Sequence, residues 1–195
     1  MKHIISILII ITGSFAFTQE KIVILNKETQ IKMALQFLTD EEQNHAKVLG
    51  YNEKNELVVL KDSDGYLTCV ADDPQKNGIE ISCYHKDLDD YMQRGRDLRS
   101  VGKNGKEIAE IRAKEVESGK LKYPKGQSIL YIFNGKEDNL DKNTGILKDG
   151  KLRYVVYTPY ATQETTGLPT KPTKPGMPWL MDAGTYHSHI MITPQ

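Results

Sequence analysis

The spacing of hydrophobic residues predicts short helices at the start of the chain. Ile31, Leu35 and Leu38 recur at intervals of four and three residues, which places them on one side of an amphipathic helix. Thr39 is followed three residues later by Glu42, and this is the spacing of a capping box. We therefore expect a second short helix to begin after Thr39.

Between residues 46 and 84 the pattern changes to short apolar runs. The turns between them are polar and rich in Asn, Asp and Gly, which is typical of hairpin connections. The pattern predicts four consecutive strands in an antiparallel meander. The four runs are residues 46–51, 56–61, 66–70 and 79–84.

The helical period returns between residues 86 and 119, where two helices are predicted. Gly102 is suited to end the first, and Asn104 with Glu107 has the spacing of a helix start. The dense charges of these helices are expected on a solvated face. The predicted buried sides contain Leu88, Tyr91, Met92, Leu98 and Val101 in the first helix and Ile108, Ala109, Ala113 and Val116 in the second.

Further strands are predicted at residues 128–133, 151–157 and 186–192. The order of strands, then two helices, then strands again favours an α+β fold. We expect an antiparallel sheet of about six or seven short strands with helices packed on one face. The length of residues 17–195 fits a single domain.

The first 16 residues are typical of a cleavable signal peptide. A basic start is followed by an apolar run over 4–11, and small residues precede a cleavage point after Ala16. The apolar run is shorter than the roughly 20 residues that a membrane span requires. We therefore expect an exported protein, periplasmic or secreted, with no membrane span in its mature form.

The charge balance argues against a nucleic-acid partner. The chain has 26 basic and 26 acidic residues, which leaves no excess for a basic face. The expected partner is an unknown protein or small-molecule ligand of the cell envelope.

Cys69 and Cys83 are the two cysteines of the chain. Outside the cytoplasm, two cysteines in neighbouring strands favour a disulfide. The alternative is a reactive Cys83 thiol with His85 as its base, which would require the thiol to be unpaired.

A proline-rich strap over residues 167–178 precedes the last strand. Its prolines recur every third residue, so a polyproline II helix would place their rings along one edge. The strap either stiffens the chain and anchors it through Trp179, or offers a docking surface to a partner. The residues proposed to bind a partner are Pro169, Pro172, Pro175, Pro178 and Trp179.

The segment around His187 and His189 is the candidate for metal chemistry. In a strand, His187, His189 and Met191 would face one side, and this donor set suits zinc or copper. A site needs a further ligand, for which the soft candidates are His45, His85, Met177 and Met181, and Asp182 is the nearest carboxylate. The favoured interpretation is an edge or solvent-facing strand whose histidines only form hydrogen bonds.

Residues 68–74 with 82–84, and the late stretch 178–192, resemble an uncharacterised family of exported bacterial proteins. The resemblance implies export and a paired Cys69 and Cys83, but no activity. The family pattern includes the position of His189 and not that of His187.

Several function classes are compatible with these patterns. An exported binding or interaction module is favoured, because residues 1–195 contain none of the common catalytic motifs. The first alternative is an exported enzyme of hydrolase type, with a loop-built cleft that includes His189. The second is zinc or copper binding by His187 and His189.

Overall fold

A computed structural model describes residues 23–194 of the chain. The predicted signal peptide, residues 1–16, lies outside the described residues. The strands are β1 (Lys47–Tyr51), β2 (Leu57–Lys61), β3 (Leu67–Val70), β4 (Ile79–His85), β5 (Ser128–Gly135), β6 (Lys151–Tyr157), β7 (Trp179–Met181) and β8 (His189–Ile192). The helices are α1 (Lys27–Leu35), α2 (Asp40–His45), α3 (Asp89–Ser100), α4 (Gly105–Glu117) and α5 (Gln163–Thr166).

The α+β class is confirmed, but the purely antiparallel sheet is wrong. One mixed sheet has eight strands in the order β2-β1-β3-β4-β5-β6-β8-β7. β1 pairs antiparallel with β2 and parallel with β3, so β2 lies at the edge of the sheet and the first four strands are not a meander. Polar turns in a sequence show where a chain changes direction, but they do not specify which strand becomes its neighbour.

The disulfide between Cys69 and Cys83 is confirmed. The two residues lie directly opposite each other on β3 and β4, and both are fully buried. The alternative of an unpaired Cys83 thiol beside His85 is therefore wrong.

Helices cover both faces of the sheet, which corrects the expectation of one face. Adjacent residues of a strand point to opposite faces. Cys83 packs in a first hydrophobic cluster with Met33 and Ala34 of α1, whereas Tyr84 packs in a second cluster with Tyr91 of α3. Of the residues predicted to be buried by helical spacing, Val101 and Ala109 are exposed. The spacing also carried no information on the face of the sheet that each helix covers.

The predicted helix starts are confirmed, and an ion pair fixes α3 against α4. Capping boxes begin α2 at Thr39 and α4 at Asn104. Arg94 of α3 binds Glu115 of α4 with Nε–Oε2 at 2.8 Å and Nη2–Oε1 at 2.7 Å. This bidentate pair positions α4 beside the sheet end that contains β8.

The proline-rich strap is exposed over much of its length and is interrupted by a turn. The Met177 amide donates to the Lys174 carbonyl over 3.2 Å, and Gly176 has a φ of 78°. Pro175 and Gly176 occupy the central positions of this turn, where proline and glycine are favoured. The four proline rings therefore do not form one continuous edge.

Candidate metal centre

A tight turn after β7 brings Asp182 back towards the start of β8. Asp182 has a φ of 50° and Gly184 a φ of 77°. Asp tolerates this left-handed region better than most residues, and Gly has no Cβ to oppose it. The Thr185 amide and hydroxyl both donate to the Asp182 carbonyl, over 3.1 and 2.8 Å, and so close the turn.

Ser188 anchors the turn to the body of the protein. Its side chain is fully buried, and its hydroxyl donates to the carbonyls of Ala161 and Asp182 over 2.8 and 3.1 Å. The Ser188 carbonyl in turn accepts from the Thr158 amide over 2.8 Å. These contacts explain why the strand predicted over 186–192 is wrong in its first half, since β8 begins only at His189.

The turn gathers three metal-ligating side chains at one point. Asp182, His187 and His189 each offer one ligand atom, and these atoms all lie within 4.8 Å of one another. In a tetrahedral zinc site, bond lengths near 2.1 Å place ligand atoms about 3.4 Å apart. The three ligand atoms are therefore further apart than in a formed site, and binding of one ion by all three requires the side chains to rearrange.

The hydrogen bonds of the two histidines leave a nitrogen of each ring free. Nδ1 of His189 lies 2.8 Å from the His187 carbonyl, and a carbonyl only accepts, so Nδ1 carries the proton. Nδ1 of His187 lies 2.8 Å from a carboxylate oxygen of Asp182. Such bonds orient an imidazole and direct its Nε2 lone pair outward, as in many metal-ligating histidines.

Electrostatics keep His187 in the neutral form that binds metals. Burial lowers the pKa of His187 below its ordinary value, and the neighbouring charges of His189 and Arg112 lower it further. The hydrogen bond to Asp182 opposes these effects without reversing them. Proton loss therefore costs little when this imidazole takes up a cation at neutral pH.

Four tyrosines, Tyr91, Tyr123, Tyr157 and Tyr186, surround the histidines and are called here the tyrosine cluster. Tyr123 packs edge-on against Tyr91 and Tyr186, with ring centroids 4.8 and 5.0 Å apart. The Tyr157 ring lies 5.4 Å from the rings of both His187 and His189. Burial raises the pKa of Tyr157 to about 12, so its hydroxyl stays protonated at neutral pH.

Arg112 of α4 adds a positive charge to this group. Its guanidinium carbon lies 3.8 Å from the centroid of the Tyr91 ring, and Nη1 donates to the Tyr91 carbonyl over 3.2 Å. Gly95 makes room for it, because a Cβ there would lie 3.0 Å from Nη1. Arg112 is half-buried and does not lie on the solvated face that was expected for the α4 charges.

The structure brings together part of the predicted metal site. His187 and His189 lie side by side, and the predicted carboxylate Asp182 joins them. Met191 packs in the second hydrophobic cluster, two residues further along β8, and its role as a ligand stays a prediction. Tyr91, Tyr123 and Tyr157 reach the site from three separate elements, which no local sequence pattern indicates.

Part of the predicted partner-binding strap lines a separate cleft of about 860 Å³. Pro172, Pro175 and Trp179 line this cleft together with Tyr154 and Lys174. A second cleft has a volume of about 450 Å³ and lies towards the other end of the sheet. Residues near α1 line it, including Gln30 and Asp72. Neither cleft includes the two histidines, so the metal centre lies outside both.

Two histidines and one carboxylate form a donor set of the catalytic zinc type. Such sites use three protein ligands and leave the fourth position to water or substrate. His189 is buried, His187 is half-buried and Asp182 is exposed, so one side of the group is open to solvent. A bound zinc would supply activation of water by lowering its pKa to about 7.

Comparisons with known proteins identify no relatives: no family model, no curated protein and no solved structure matches the chain. Within residues 23–194, no helix has both the length and the apolar character needed to cross a membrane.

Proposed function

We propose that the protein binds a divalent transition metal, zinc above all, in a hydrolase-type centre formed by Asp182, His187 and His189. The proposal rests on one observation, the convergence of three ligand atoms within 4.8 Å. The hydrogen bond that orients His189 supports it, because it directs the Nε2 of that ring before any metal arrives. Zinc fits nitrogen and oxygen donors, whereas a preference for Cu(I) would call for the thioether of Met191.

Zinc titration of the tag-free protein tests this proposal. We expect one zinc per chain with a dissociation constant below micromolar, measured by competition with a chromogenic chelator. His187→Ala, His189→Ala and Asp182→Asn should each weaken zinc binding by about 10- to 100-fold or more. His45→Ala removes an exposed histidine at the end of α2 and serves as the matched control. Wild type without zinc or copper binding tighter than micromolar would contradict the proposal.

Export is the second part of the proposed function. The buried Cys69–Cys83 disulfide supports it, because such bonds persist in oxidising compartments. Expression with the natural N-terminus should yield a mature protein that begins at Phe17, as measured by intact mass and N-terminal sequencing. Recovery of the uncleaved chain in the cytoplasm with both thiols free would contradict export.

The cleft beside the proline-rich strap supports a second candidate function, the binding of an envelope protein or small molecule. Its volume of about 860 Å³ lies within the usual range for ligand sites. Immobilised wild type should retain a partner from an envelope extract that the double variant Pro172→Ala, Pro175→Ala loses. Identical retention by both proteins would remove this candidate.

A further inference from the structure

The guanidinium of Arg112 is held in one place within the tyrosine cluster that adjoins the two histidines. It stacks on the Tyr91 ring at 3.8 Å, and its Nη1 is fixed by the Tyr91 carbonyl at 3.2 Å. Stacking on an aromatic face and a fixed hydrogen bond restrict the side chain to one orientation. The charge therefore has a defined place in the centre.

Arg112 has no acidic partner within residues 23–194. The salt bridges there engage other cations, and the nearby Glu115 is taken by Arg94 and Lys120. Nε of Arg112 is buried and makes no hydrogen bond in the described part of the chain. A partly buried cation that lacks both a counter-charge and a full set of acceptors is unfavourable. We therefore expect a ligand to supply the missing counter-charge and the missing hydrogen-bond acceptor of Arg112.

Arg112 also opposes the binding of a bare cation. The Tyr91 ring that carries the guanidinium lies 5.8 Å from the His187 ring, so the positive charge is close to a ligand of the proposed site. A positive charge there repels a metal ion. An anion that lies between the guanidinium and the metal removes this conflict, because it neutralises both.

The hydroxyl of Tyr123 is a second unused donor in this place. It is buried and has no hydrogen-bond partner within residues 23–194. The Tyr123 ring packs edge-on against the Tyr91 ring, on which Arg112 stacks, with the two ring centroids 4.8 Å apart. Burial raises the pKa of Tyr123, which keeps the hydroxyl protonated and able to donate.

We propose that Arg112 and Tyr123 form an anion-binding subsite beside the metal, so that the substrate carries a phosphate or carboxylate group. The planar guanidinium fork matches both oxyanions, and a tyrosine hydroxyl adds one further donor. The inference rests on the proposed function, since it places the anion next to the bound zinc. Arg112 and Tyr123 then bind and orient the substrate, while the metal ligands hold the ion.

Calorimetric titration of the zinc-loaded protein with inorganic phosphate, and separately with acetate, tests the subsite. Arg112→Gln should lower the affinity for the preferred anion by about 10-fold or more, because charge-assisted hydrogen bonds are lost. Its zinc affinity should be unchanged or higher. Tyr123→Phe, which keeps the ring, should lower anion affinity by about 3- to 10-fold. Arg99→Gln, at an exposed position of α3, should behave as wild type.

The outcomes separate the two proposals. If wild type binds zinc but no anion, the subsite alone is overturned. The same holds if wild type binds both and Arg112→Gln leaves the anion affinity unchanged. Absence of zinc binding overturns the proposed function together with the subsite. Tighter binding of phosphate identifies a phosphate ester as the substrate class, and tighter binding of acetate identifies a carboxylate.

Discussion

The two ends of the sheet differ in how their buried polar groups are hydrogen-bonded. The disulfide end comprises β1 to β4 with α1, and most of its buried side chains are apolar. Gln30, buried on α1, donates to the Leu25 and Tyr51 carbonyls over 2.7 and 2.9 Å and accepts from the Tyr51 amide over 2.7 Å. Every polar atom of this amide has a partner within the protein.

The metal end comprises β6 to β8 with α3 and α4, and there the partners are missing. Four buried side-chain atoms lack a hydrogen bond within residues 23–194, and three of them belong to Arg112, Tyr123 and Thr158 at this end. Native proteins pair nearly all buried polar groups, so this concentration supports the proposed binding site. The disulfide end pairs the buried Gln30 within the protein, whereas the proposed metal end leaves three buried atoms unpaired in the described residues.

The largest effect is expected from the disulfide. Replacing Cys69 and Cys83 together by Ala removes a bond that closes a sequence separation of 14 residues. In the chain-entropy model this costs about 3 kcal/mol of unfolding free energy. Urea unfolding followed by circular dichroism measures the loss. Zinc affinity of the folded variant should stay at the wild-type value, and a parallel loss of zinc would show that the two ends are not separable.

Gln30→Leu tests whether the satisfied polar group of the disulfide end is structural. Leu has a similar volume but leaves the Tyr51 amide and two carbonyls without partners, which should cost about 2 kcal/mol. Gln75→Leu, in an exposed turn, is the matched control. Equal urea midpoints for the two variants would show that these hydrogen bonds contribute nothing.

Asp72 should make the disulfide end sensitive to pH. Burial raises its pKa from 3.8 to about 6, against the opposing hydrogen bond from the Glu80 amide. The folded state then binds a proton more tightly than the unfolded chain, so wild-type stability falls as pH rises from about 4 to about 6. Asp72→Asn should have a higher unfolding free energy than wild type at pH 7 and the same unfolding free energy at pH 3.5. The difference at pH 7 should be smaller than those expected for the disulfide and for Gln30→Leu. Asp138→Asn, at an exposed position, controls for the loss of one charge.

Tyr123→Phe should have the smallest effect on stability. Its hydroxyl makes no hydrogen bond within the described residues, so no hydrogen bond is lost when the hydroxyl is removed. The unfolding free energy should therefore change by less than about 0.5 kcal/mol. The unfolding free energies of Tyr123→Phe and Gln30→Leu can then be compared. The first variant removes a buried polar group without a partner, and the second removes one whose hydrogen bonds are all formed. A loss of 2 kcal/mol in Tyr123→Phe would mean that its hydroxyl has a structural partner.

Local sequence patterns predicted the elements better than their arrangement. Capping boxes at Thr39 and Asn104 were visible because helix starts depend on residues three apart. The Cys69–Cys83 pair was visible because two cysteines allow one pairing. The parallel contact between β1 and β3 was not visible, because it depends on long-range packing rather than on the turn between them.

The candidate site was predictable only where its residues are neighbours in sequence. His187 and His189 stood out together, and Asp182 was the nearest carboxylate. Their clustering depends on a turn rather than on strand alternation, since Asp182 adopts a φ of 50°. The spacing of Arg112 did indicate that its side chain is partly buried, because Arg112 lies four residues from both Ile108 and Val116, on the apolar side of α4.

X-ray absorption spectroscopy of the zinc-loaded protein most directly tests the central proposal. The extended fine structure should show nitrogen and oxygen neighbours at about 2.0–2.2 Å, with the outer-shell scattering of two imidazole rings. His189→Ala should remove the contribution of one ring, while His45→Ala leaves the spectrum unchanged. A wild-type spectrum of six oxygen neighbours without imidazole scattering would contradict a centre formed by His187 and His189.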